Sequence, residues 1–481
     1  MVKLVLNALV SARYGWHIDE LYYADSGRHL DWGYVDFPSV TPVLAAAART
    51  LLGDSLPALR LVASLAGAAT LVVIALLVRR LGGGRDAQIV AMLATFPVVL
   101  GANAMFQTVS FDQLAWALIL LAFLGLRPGA ERDDLRRWAA LGGAIALAWA
   151  TKYTVGVLVG CLLVGLVTTR SGRARWSNRG ALLAGVIVMV AALPNLWWQA
   201  RHGWPSVDFF TGRRGEVSDE NPPIRFAAEL LVLATPLALP VWVAGVRRLL
   251  RPEWRHVGVA AVLVAPLWLV LGGKSYYALP VFFVLHAAGA VSIAERWAAR
   301  REGGRRPVLP WLIGVSTALA LPLIVPVLPT ATMVSSGVAD VRDDYPAQLG
   351  GPDLAAQVDE AWVAGLSPAE RSRTVVLADD YGSAGAVRRF GRGDGGEAPP
   401  VISPALTNRY WPAPAEARTA DAVLTIGVED DWLTAHCTDE RRIATVGNRW
   451  DVENDLRGGP IVWCELPAGL TVGEARDDLA G

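Results

Sequence analysis

Two adjacent carboxylates follow a short apolar segment at the start of the chain. Asp19 and Glu20 lie in the sequence His17-Ile-Asp-Glu-Leu-Tyr-Tyr23. A carboxylate in a partly dry pocket can act as a general base, taking the proton of a hydroxyl group as its oxygen attacks an electrophilic carbon. A neighbouring carboxylate can bind a cation or hydrogen-bond the hydroxyl. The alternative is a solvated pair that only ends a helix, and the dipeptide alone leaves both interpretations open.

A third acid, Asp112, stands at the start of a long apolar segment, in Gln107-Thr-Val-Ser-Phe-Asp-Gln113. An acid in this position can cap a helix and interact favourably with the positive N-terminal end of the helix dipole. Ionisable residues within membrane spans are costly and usually functional. Because Asp112 lies at the end of the segment, we retain it as a candidate catalytic residue beside the capping interpretation.

Lysine is rare in this chain, with Lys3, Lys152 and Lys274 among 44 basic residues. Lys152 precedes Tyr153, and Lys274 is followed by Ser275 and then by Tyr276 and Tyr277. An ammonium beside amphipathic rings can bind the phosphate of a lipid at a membrane interface. The alternative is that both lysines extend to the interface from membrane helices without binding a ligand.

These residues are distributed over a strongly apolar chain. Hydrophobic residues make up 53% of the 481 residues, and the mean hydropathy is +0.37. Most of the apolar residues form blocks of roughly 16–24, the length that crosses a bilayer core, and a few blocks are shorter. We predict an all-α polytopic membrane domain over residues 1–330, with eleven spans: 2–14, 58–78, 87–103, 112–127, 138–150, 153–169, 180–200, 225–246, 256–272, 276–295 and 308–330.

Arginine alternates between the predicted loops. Three to five arginines lie in each of the loops 79–85, 127–137, 170–179, 247–255 and 296–306. Under the positive-inside rule these loops are cytoplasmic, as is the N-terminus. The loops 15–57, 103–111, 151–153, 201–224 and 272–275 are then outside. We therefore expect a multi-pass plasma-membrane protein whose catalytic candidates lie at the outer face.

Residues 331–481 have the composition of a water-exposed domain. Short β-like runs occur at 374–378, 422–426 and 460–464, with helical patterns at 355–364 and 384–390 between them. We predict a small C-terminal α/β domain, which the arginine pattern places outside the cell. Cys437 and Cys464 both lie in it, and an outside location would permit them to form a disulfide. The sequence leaves their pairing open.

The zero net charge of the chain argues against a nucleic-acid partner.

The order of several segments resembles bacterial protein-mannosyltransferase-like and aminoarabinose-transferase-like glycosyltransferases, which are glycosyltransferase family 39 and its relatives, with the GT-C fold. The resemblance covers nearly the whole chain. It is carried by 17–23, 27–30, 32–36, 59–61, 111–113, 151–154, 194–199, 202–205, 274–277 and 381–386.

The resemblance implies an inverting transfer of sugar from a polyprenyl-phosphate donor at the outer face. Asp19, with Glu20 beside it, matches the acid of the family's first outer loop, and Asp112 matches its second acid. Lys152 and Lys274 match the lysines that contact the carrier phosphate. Tyr22, Tyr153, Tyr276 and Tyr277 complete the predicted binding residues. The sequence leaves open whether the sugar is a hexose or a pentose. It also leaves open whether the acceptor is a lipid, a glycan or a protein, and whether a divalent cation is required.

Two other classes of membrane protein compete with this interpretation. A transporter or lipid flippase would carry charged residues or broken helices near the middle of the membrane, and often a repeat. Here the predicted spans contain few acids, and the ionisable residues gather at one face. A sensor with an outer binding domain would not need acids at Asp19, Glu20 and Asp112. The sequence therefore favours an enzyme.

Overall fold

The computed structural model describes residues 1–220, 222–300, 308–393, 396 and 398–479. The predicted cytoplasmic loop 296–306 lies partly outside the described residues, as does one residue of the predicted outer loop 201–224. The chain forms two compact units. The first comprises Met1–Ser11, Asp31–Thr41 and Pro57–Val325, and the second comprises Ala12–Leu30, Pro42–Leu56 and Pro326–Gly481. The predicted first outer loop, 15–57, is thus shared between the two units.

The helices up to residue 324 are α1 (Val2–Val10), α2 (Ile18–Ser26), α3 (Val40–Leu52), α4 (Leu56–Arg80), α5 (Arg85–Ala102), α6 (Thr108–Phe123), α7 (Leu135–Trp149), α8 (Val155–Thr168), α9 (Arg170–Arg173), α10 (Asn178–Arg201), α11 (Pro205–Glu220), α12 (Pro223–Leu233), α13 (Leu239–Leu249), α14 (Arg255–Val270), α15 (Phe282–Arg300), α16 (Leu309–Leu319) and α17 (Leu321–Ile324). Those that follow are α18 (Thr330–Ser335), α19 (Val338–Val341), α20 (Gly351–Val363), α21 (Pro368–Arg371), α22 (Tyr381–Phe390), α23 (Asp430–His436) and α24 (Val472–Leu479).

The first unit is a bundle of apolar helices. Among the described residues, four helical stretches are long and apolar enough to cross a membrane: Leu56–Arg80, Arg85–Ala102, Asn178–Arg201 and Ser275–Ala299. A bent pair adds a fifth if it forms one span, and shorter apolar helices accompany them. Each of the eleven predicted spans contains at least one of the helices above, in whole or in large part. The chain is therefore a multi-pass membrane protein, and the total of eleven crossings stays a prediction.

The eighth predicted span, 225–246, is not one continuous helix. Helices α12 and α13 bend by 80° at a break between them. Thr235 lies at the break with a φ of 65°, outside the helical region, and Pro236 follows it. A proline cannot donate a backbone hydrogen bond and restricts the residue before it, so the helix ends here.

Small residues allow helices of the first unit to approach closely. A Cβ added at Gly142 of α7 would lie 2.8 Å from the backbone of Ala184 of α10. One added at Gly289 of α15 would lie 1.7 Å from the carbonyl oxygen of Val241 of α13. Membrane helices associate through such small-residue contacts, because lipid tails leave little hydrophobic force between helices.

The second unit contains a five-stranded sheet. Its strands are β1 (Thr374–Ala378), β2 (Val401–Ile402), β3 (Ala422–Ile426), β4 (Asp439–Thr445) and β5 (Pro460–Glu465). Their order is β2-β1-β3-β5-β4, with β1 parallel to β2 and β3, and β5 antiparallel to β3 and β4. The strands predicted at 374–378, 422–426 and 460–464 are present. The short β2 and the charged edge strand β4 were not predicted.

A disulfide joins Cys437 and Cys464, whose Cα atoms are 5.3 Å apart. It connects the end of α23 to strand β5, which lies between β3 and β4 in the sheet. The third cysteine, Cys161, is a buried free thiol in α8. The sequence left open whether Cys437 and Cys464 pair, and in the structure they form a disulfide.

Candidate active site

Lys152 lies in the turn between α7 and α8. Its ammonium stands over two aromatic rings, with Nζ 4.6 Å from the ring centroid of Tyr277 and 5.6 Å from that of Tyr276. Among the described residues, this ammonium makes no hydrogen bond or ion pair. Cation–π attraction holds the charge without occupying its donors. All three N–H groups are therefore available for an anionic ligand.

The two tyrosines belong to a short 3₁₀ helix, Ser275–Val281, whose N-cap residue is Lys274. Their rings meet edge to face at 4.7 Å, and Tyr277 also packs on Trp268 at 5.0 Å. Ser275 donates a hydrogen bond to Glu229 of α12 at 2.8 Å, which anchors the start of this helix. Lys274 thus lies two residues before Tyr276, the first tyrosine of the pair that Lys152 contacts.

Asp112 is buried in the first turns of α6, with 4% of its surface exposed. The hydroxyl of Thr154, two residues after Lys152, lies 3.3 and 3.2 Å from its two carboxylate oxygens and donates to them. The Lys152 ammonium is close enough to attract the carboxylate electrostatically. The structure therefore brings together Asp112, Lys152 and the tyrosine pair, which come from three separate segments of sequence. Asp112 does not cap α6, because the helix begins at Thr108.

The hydroxyl of Tyr153 is engaged in a network of polar groups. It donates to the side-chain oxygen of Asn195 at 3.2 Å and lies 3.2 Å from the amide nitrogen of Gln199, which donates to it. Asn195 also donates to the carbonyl of Trp32, and Gln199 to the carbonyl of Tyr34. Tyr153, predicted to bind substrate, therefore fixes the turn beside Lys152 against α10 and the 31–41 segment.

The second unit holds the predicted acids of the first outer loop, at the N-terminus of α2. Nδ1 of His17 accepts a hydrogen bond from the backbone N–H of Asp19 at 3.0 Å, and Glu20 accepts one from the backbone N–H of His17 at 3.0 Å. This reciprocal arrangement is a capping box. Glu20 is fully buried, whereas the Asp19 side chain is 31% exposed. Of the two acids, Asp19 is the one that a substrate can reach.

Asp19 and Tyr22 both contact residues near the C-terminus. The phenol of Tyr381 donates to Oδ1 of Asp19 at 2.9 Å. Tyr22 is 2% exposed, and its hydroxyl donates to Thr407 at 2.8 Å. Its ring lies 5.0 Å from that of Tyr381. Tyr22, predicted to bind substrate, is thus part of the packing around Asp19.

An ion pair between a buried acid, Asp25, and a partly exposed arginine, Arg388, was not predicted from the sequence. Arg388 of α22 donates to Oδ2 of Asp25 in α2 at 3.0 Å and to the side chain of Asn408 at 2.8 Å. Burial raises the pKa of Asp25, and the charge of Arg388 opposes that rise. Neither residue has a sequence signal, because the two are 363 positions apart.

The predicted site residues thus form two groups, Asp112, Lys152, Tyr153, Lys274, Tyr276 and Tyr277 in the first unit and Asp19, Glu20 and Tyr22 in the second. Among the residues that the structure describes, no group of three or more His, Cys, Asp or Glu side chains is arranged to hold a metal ion.

Comparison with known proteins gives a family match over part of the chain. Residues 36–198 match the family described as dolichyl-phosphate-mannose-protein mannosyltransferase. The lipid A galacturonosyltransferase RgtD from Rhizobium johnstonii is 29% identical over 187 residues, which are 38% of this chain and 38% of that protein. The chain therefore spans about two fifths of the length of the curated relative that it matches.

The fold is shared over a longer stretch. The crystal structure of ArnT from Cupriavidus metallidurans bound to undecaprenyl phosphate matches with a TM-score of 0.60 at 15% identity, over 100% of this chain and 98% of that one. The arabinofuranosyltransferase AftD from Mycobacteria matches with a TM-score of 0.51 at 14% identity, over 98% of this chain and 40% of that one. The chain therefore shares the fold of these structures. The predicted resemblance to protein-mannosyltransferase-like and aminoarabinose-transferase-like glycosyltransferases is confirmed as a resemblance.

Proposed function

We propose that this protein is a membrane glycosyltransferase that transfers a sugar from a polyprenyl-phosphate donor to a hydroxyl acceptor. The observation that carries the proposal is the Lys152 ammonium held on the faces of Tyr276 and Tyr277 beside the buried Asp112. The match to lipid-phosphate-dependent mannosyltransferases and the fold of an ArnT that binds undecaprenyl phosphate support it.

In the first unit, Lys152 binds the phosphate of the donor. Its free N–H groups donate to the phosphate oxygens, and its charge stabilises the negative charge that grows on the leaving phosphate. Asp112 offsets the positive charge of Lys152 and orients Thr154. Lys274, at the start of the tyrosine-bearing 3₁₀ helix, contributes a second ammonium to the phosphate.

In the second unit, Asp19 acts as the general base. The acceptor oxygen attacks the anomeric carbon as its proton passes to the Asp19 carboxylate. The bond between the anomeric carbon and the phosphate oxygen breaks, its electron pair stays on the phosphate, and polyprenyl phosphate leaves. A single displacement inverts the configuration at the anomeric carbon. Glu20 supports this reaction by capping α2, and we assign no residue to a divalent cation.

We propose that transfer takes place at the outer face of the plasma membrane, with the N-terminus in the cytoplasm. The alternating arginines support this orientation. The Cys437–Cys464 disulfide supports an extracytoplasmic location for the sheet-containing unit, because disulfides persist in oxidising compartments. The acceptor is a lipid, a glycan or a protein hydroxyl.

A lipid flippase is the competing function, and the bent pair α12 and α13 is the observation that favours it, because broken helices are common in transporters. The purified protein in proteoliposomes, supplied with polyprenyl-phosphate sugars and a cell-envelope extract as acceptor, separates the two. The proposal predicts release of free polyprenyl phosphate and labelled acceptor. Movement of the intact donor between leaflets, with no free polyprenyl phosphate, would establish a flippase instead.

A further inference from the structure

Helix α22, in the C-terminal part of the chain, packs directly on α2, which carries Asp19. A Cβ added at Gly382 would lie 2.8 Å from Ile18, and one added at Gly385 would lie 2.8 Å from Leu21. Residues three apart lie on the same face of a helix, so the two glycines form one contact surface. Any larger side chain at either position would push the helices apart.

This close approach allows side chains at both ends of α22 to bond to α2. At its start, the Tyr381 phenol donates to Oδ1 of Asp19 at 2.9 Å, and near its end Arg388 donates to Oδ2 of Asp25 at 3.0 Å. The Tyr381 ring also packs on Tyr22 at 5.0 Å. The two hydrogen bonds, about two helical turns apart, fix the position of α2 along α22.

The bond from Tyr381 makes the two oxygens of Asp19 unequal. Oδ1 is occupied by the phenol, whereas no described residue donates a hydrogen bond to Oδ2. The closest basic nitrogen to Oδ2 is Nδ1 of His17 at 3.9 Å, and this nitrogen accepts the backbone N–H of Asp19, so it carries no proton. Oδ2 is therefore the oxygen that can take a proton from an acceptor.

We infer that Tyr381 is a positioning residue for Asp19, and that helix α22 is needed for the reaction and not only for folding. The phenol holds Oδ1 so that the carboxylate presents Oδ2 to the acceptor hydroxyl in one orientation. This inference rests on the proposed function, in which Asp19 is the base. It gives the C-terminal part of the chain a direct role in sugar transfer.

The test compares Tyr381→Phe, Asp19→Asn and the double variant in proteoliposomes with a polyprenyl-phosphate sugar donor. Tyr381→Phe keeps the ring on Tyr22 but removes the donor, so kcat should fall roughly 10- to 100-fold through misorientation, with the KM for the lipid donor unchanged. In the double variant, kcat should be no lower than in Asp19→Asn alone. The amide of asparagine cannot accept the proton, so its orientation by Tyr381 no longer affects the rate. Tyr14→Phe is the matched control, since that phenol donates to the carbonyl of Leu328 at 3.1 Å in the same unit.

The outcomes separate the inference from the function beneath it. If Asp19→Asn is inactive while Tyr381→Phe has wild-type kcat, the inference is wrong and the proposed function stands. Losses that multiply in the double variant would show that Tyr381 acts independently of Asp19, which also overturns the inference. Wild-type kcat in Asp19→Asn would overturn the base assignment and the inference with it.

Discussion

The Lys152 ammonium lies 4.6 Å from the ring centroid of Tyr277, and the two residues are 125 positions apart in sequence. Lys274 directly precedes the 3₁₀ helix that carries Tyr277. The contact between Lys152 and Tyr277 therefore joins the segments around two of the chain's three lysines. The aromatic faces stabilise the charge by roughly 0.5–2 kcal/mol and leave its hydrogen-bond donors free. An ammonium held in this way can donate hydrogen bonds to an anionic ligand.

Lys152→Met should weaken donor binding. Methionine keeps most of the length and apolar contact of lysine but removes the charge and its donors, so the KM for polyprenyl-phosphate sugar should rise at least tenfold, which corresponds to about 1.4 kcal/mol. Steady-state kinetics against donor concentration measure the change. Arg201→Met is the matched control, because Arg201 also stands over an aromatic ring, that of Trp197, at 4.7 Å in the same unit. Equal donor kinetics in both variants would show that Lys152 only extends to the membrane interface and does not bind the donor.

Arg388→Met should destabilise the second unit. Asp25 would lose its closest cation while staying buried, which costs roughly 3 kcal/mol in free energy of unfolding. Because burial raises the pKa of Asp25, the folded state holds the proton more tightly than the unfolded state. The loss should therefore be largest at neutral pH and shrink as the pH falls and the carboxyl becomes neutral.

Urea unfolding in detergent at several pH values measures this loss. Arg389→Met is the control, because its partner Asp54 is 42% exposed and such a pair contributes about 1 kcal/mol or less. A loss in Arg388→Met that stayed constant across the acidic range would show that the Asp25 charge is not its cause.

The disulfide tests the proposed orientation. Alkylation of protein taken from intact cells without reduction should leave Cys437 and Cys464 unlabelled, and reduction under denaturing conditions should expose both. Replacing both with alanine should lower the free energy of unfolding by about 3 kcal/mol, whereas the buried thiol Cys161 serves as an internal control for alkylation. Free thiols at both positions in freshly isolated protein would place this unit in a reducing compartment.

Sequence periodicity was sufficient for the elements of the fold that are regular and apolar. The strands at 374–378 and 422–426 were predicted to the residue because β-branched and apolar runs ended at turn residues. Strand β4, Asp439–Thr445, was missed because it is an exposed, charged edge strand that has no apolar face. The break at Thr235 was missed because the hydropathy of 225–246 is continuous across it.

The candidate site was predictable where residue type alone was informative. Lys152, Asp112 and Asp19 were chosen as candidates because charges are rare near membrane spans, and their catalytic and binding roles stay predictions. Tyr381 and Arg388 were not assigned roles, since their importance arises from contacts with α2 that no local pattern encodes. Tyr22 and Tyr153 were chosen for proximity in sequence to charged residues, and the structure engages both hydroxyls in internal hydrogen bonds.

The comparison of Asp19→Asn with Glu20→Gln tests the central claim most directly. Both changes replace a carboxylate with its amide, but the amide introduced by Glu20→Gln can still cap α2, because glutamine serves in a capping box. Transfer of labelled sugar from a polyprenyl-phosphate donor should fall by about 10²–10⁴ in kcat for Asp19→Asn, with donor binding kept, and only slightly for Glu20→Gln. Near wild-type turnover in Asp19→Asn, with Glu20→Gln or Asp112→Asn inactive, would contradict the assignment of Asp19 as the base.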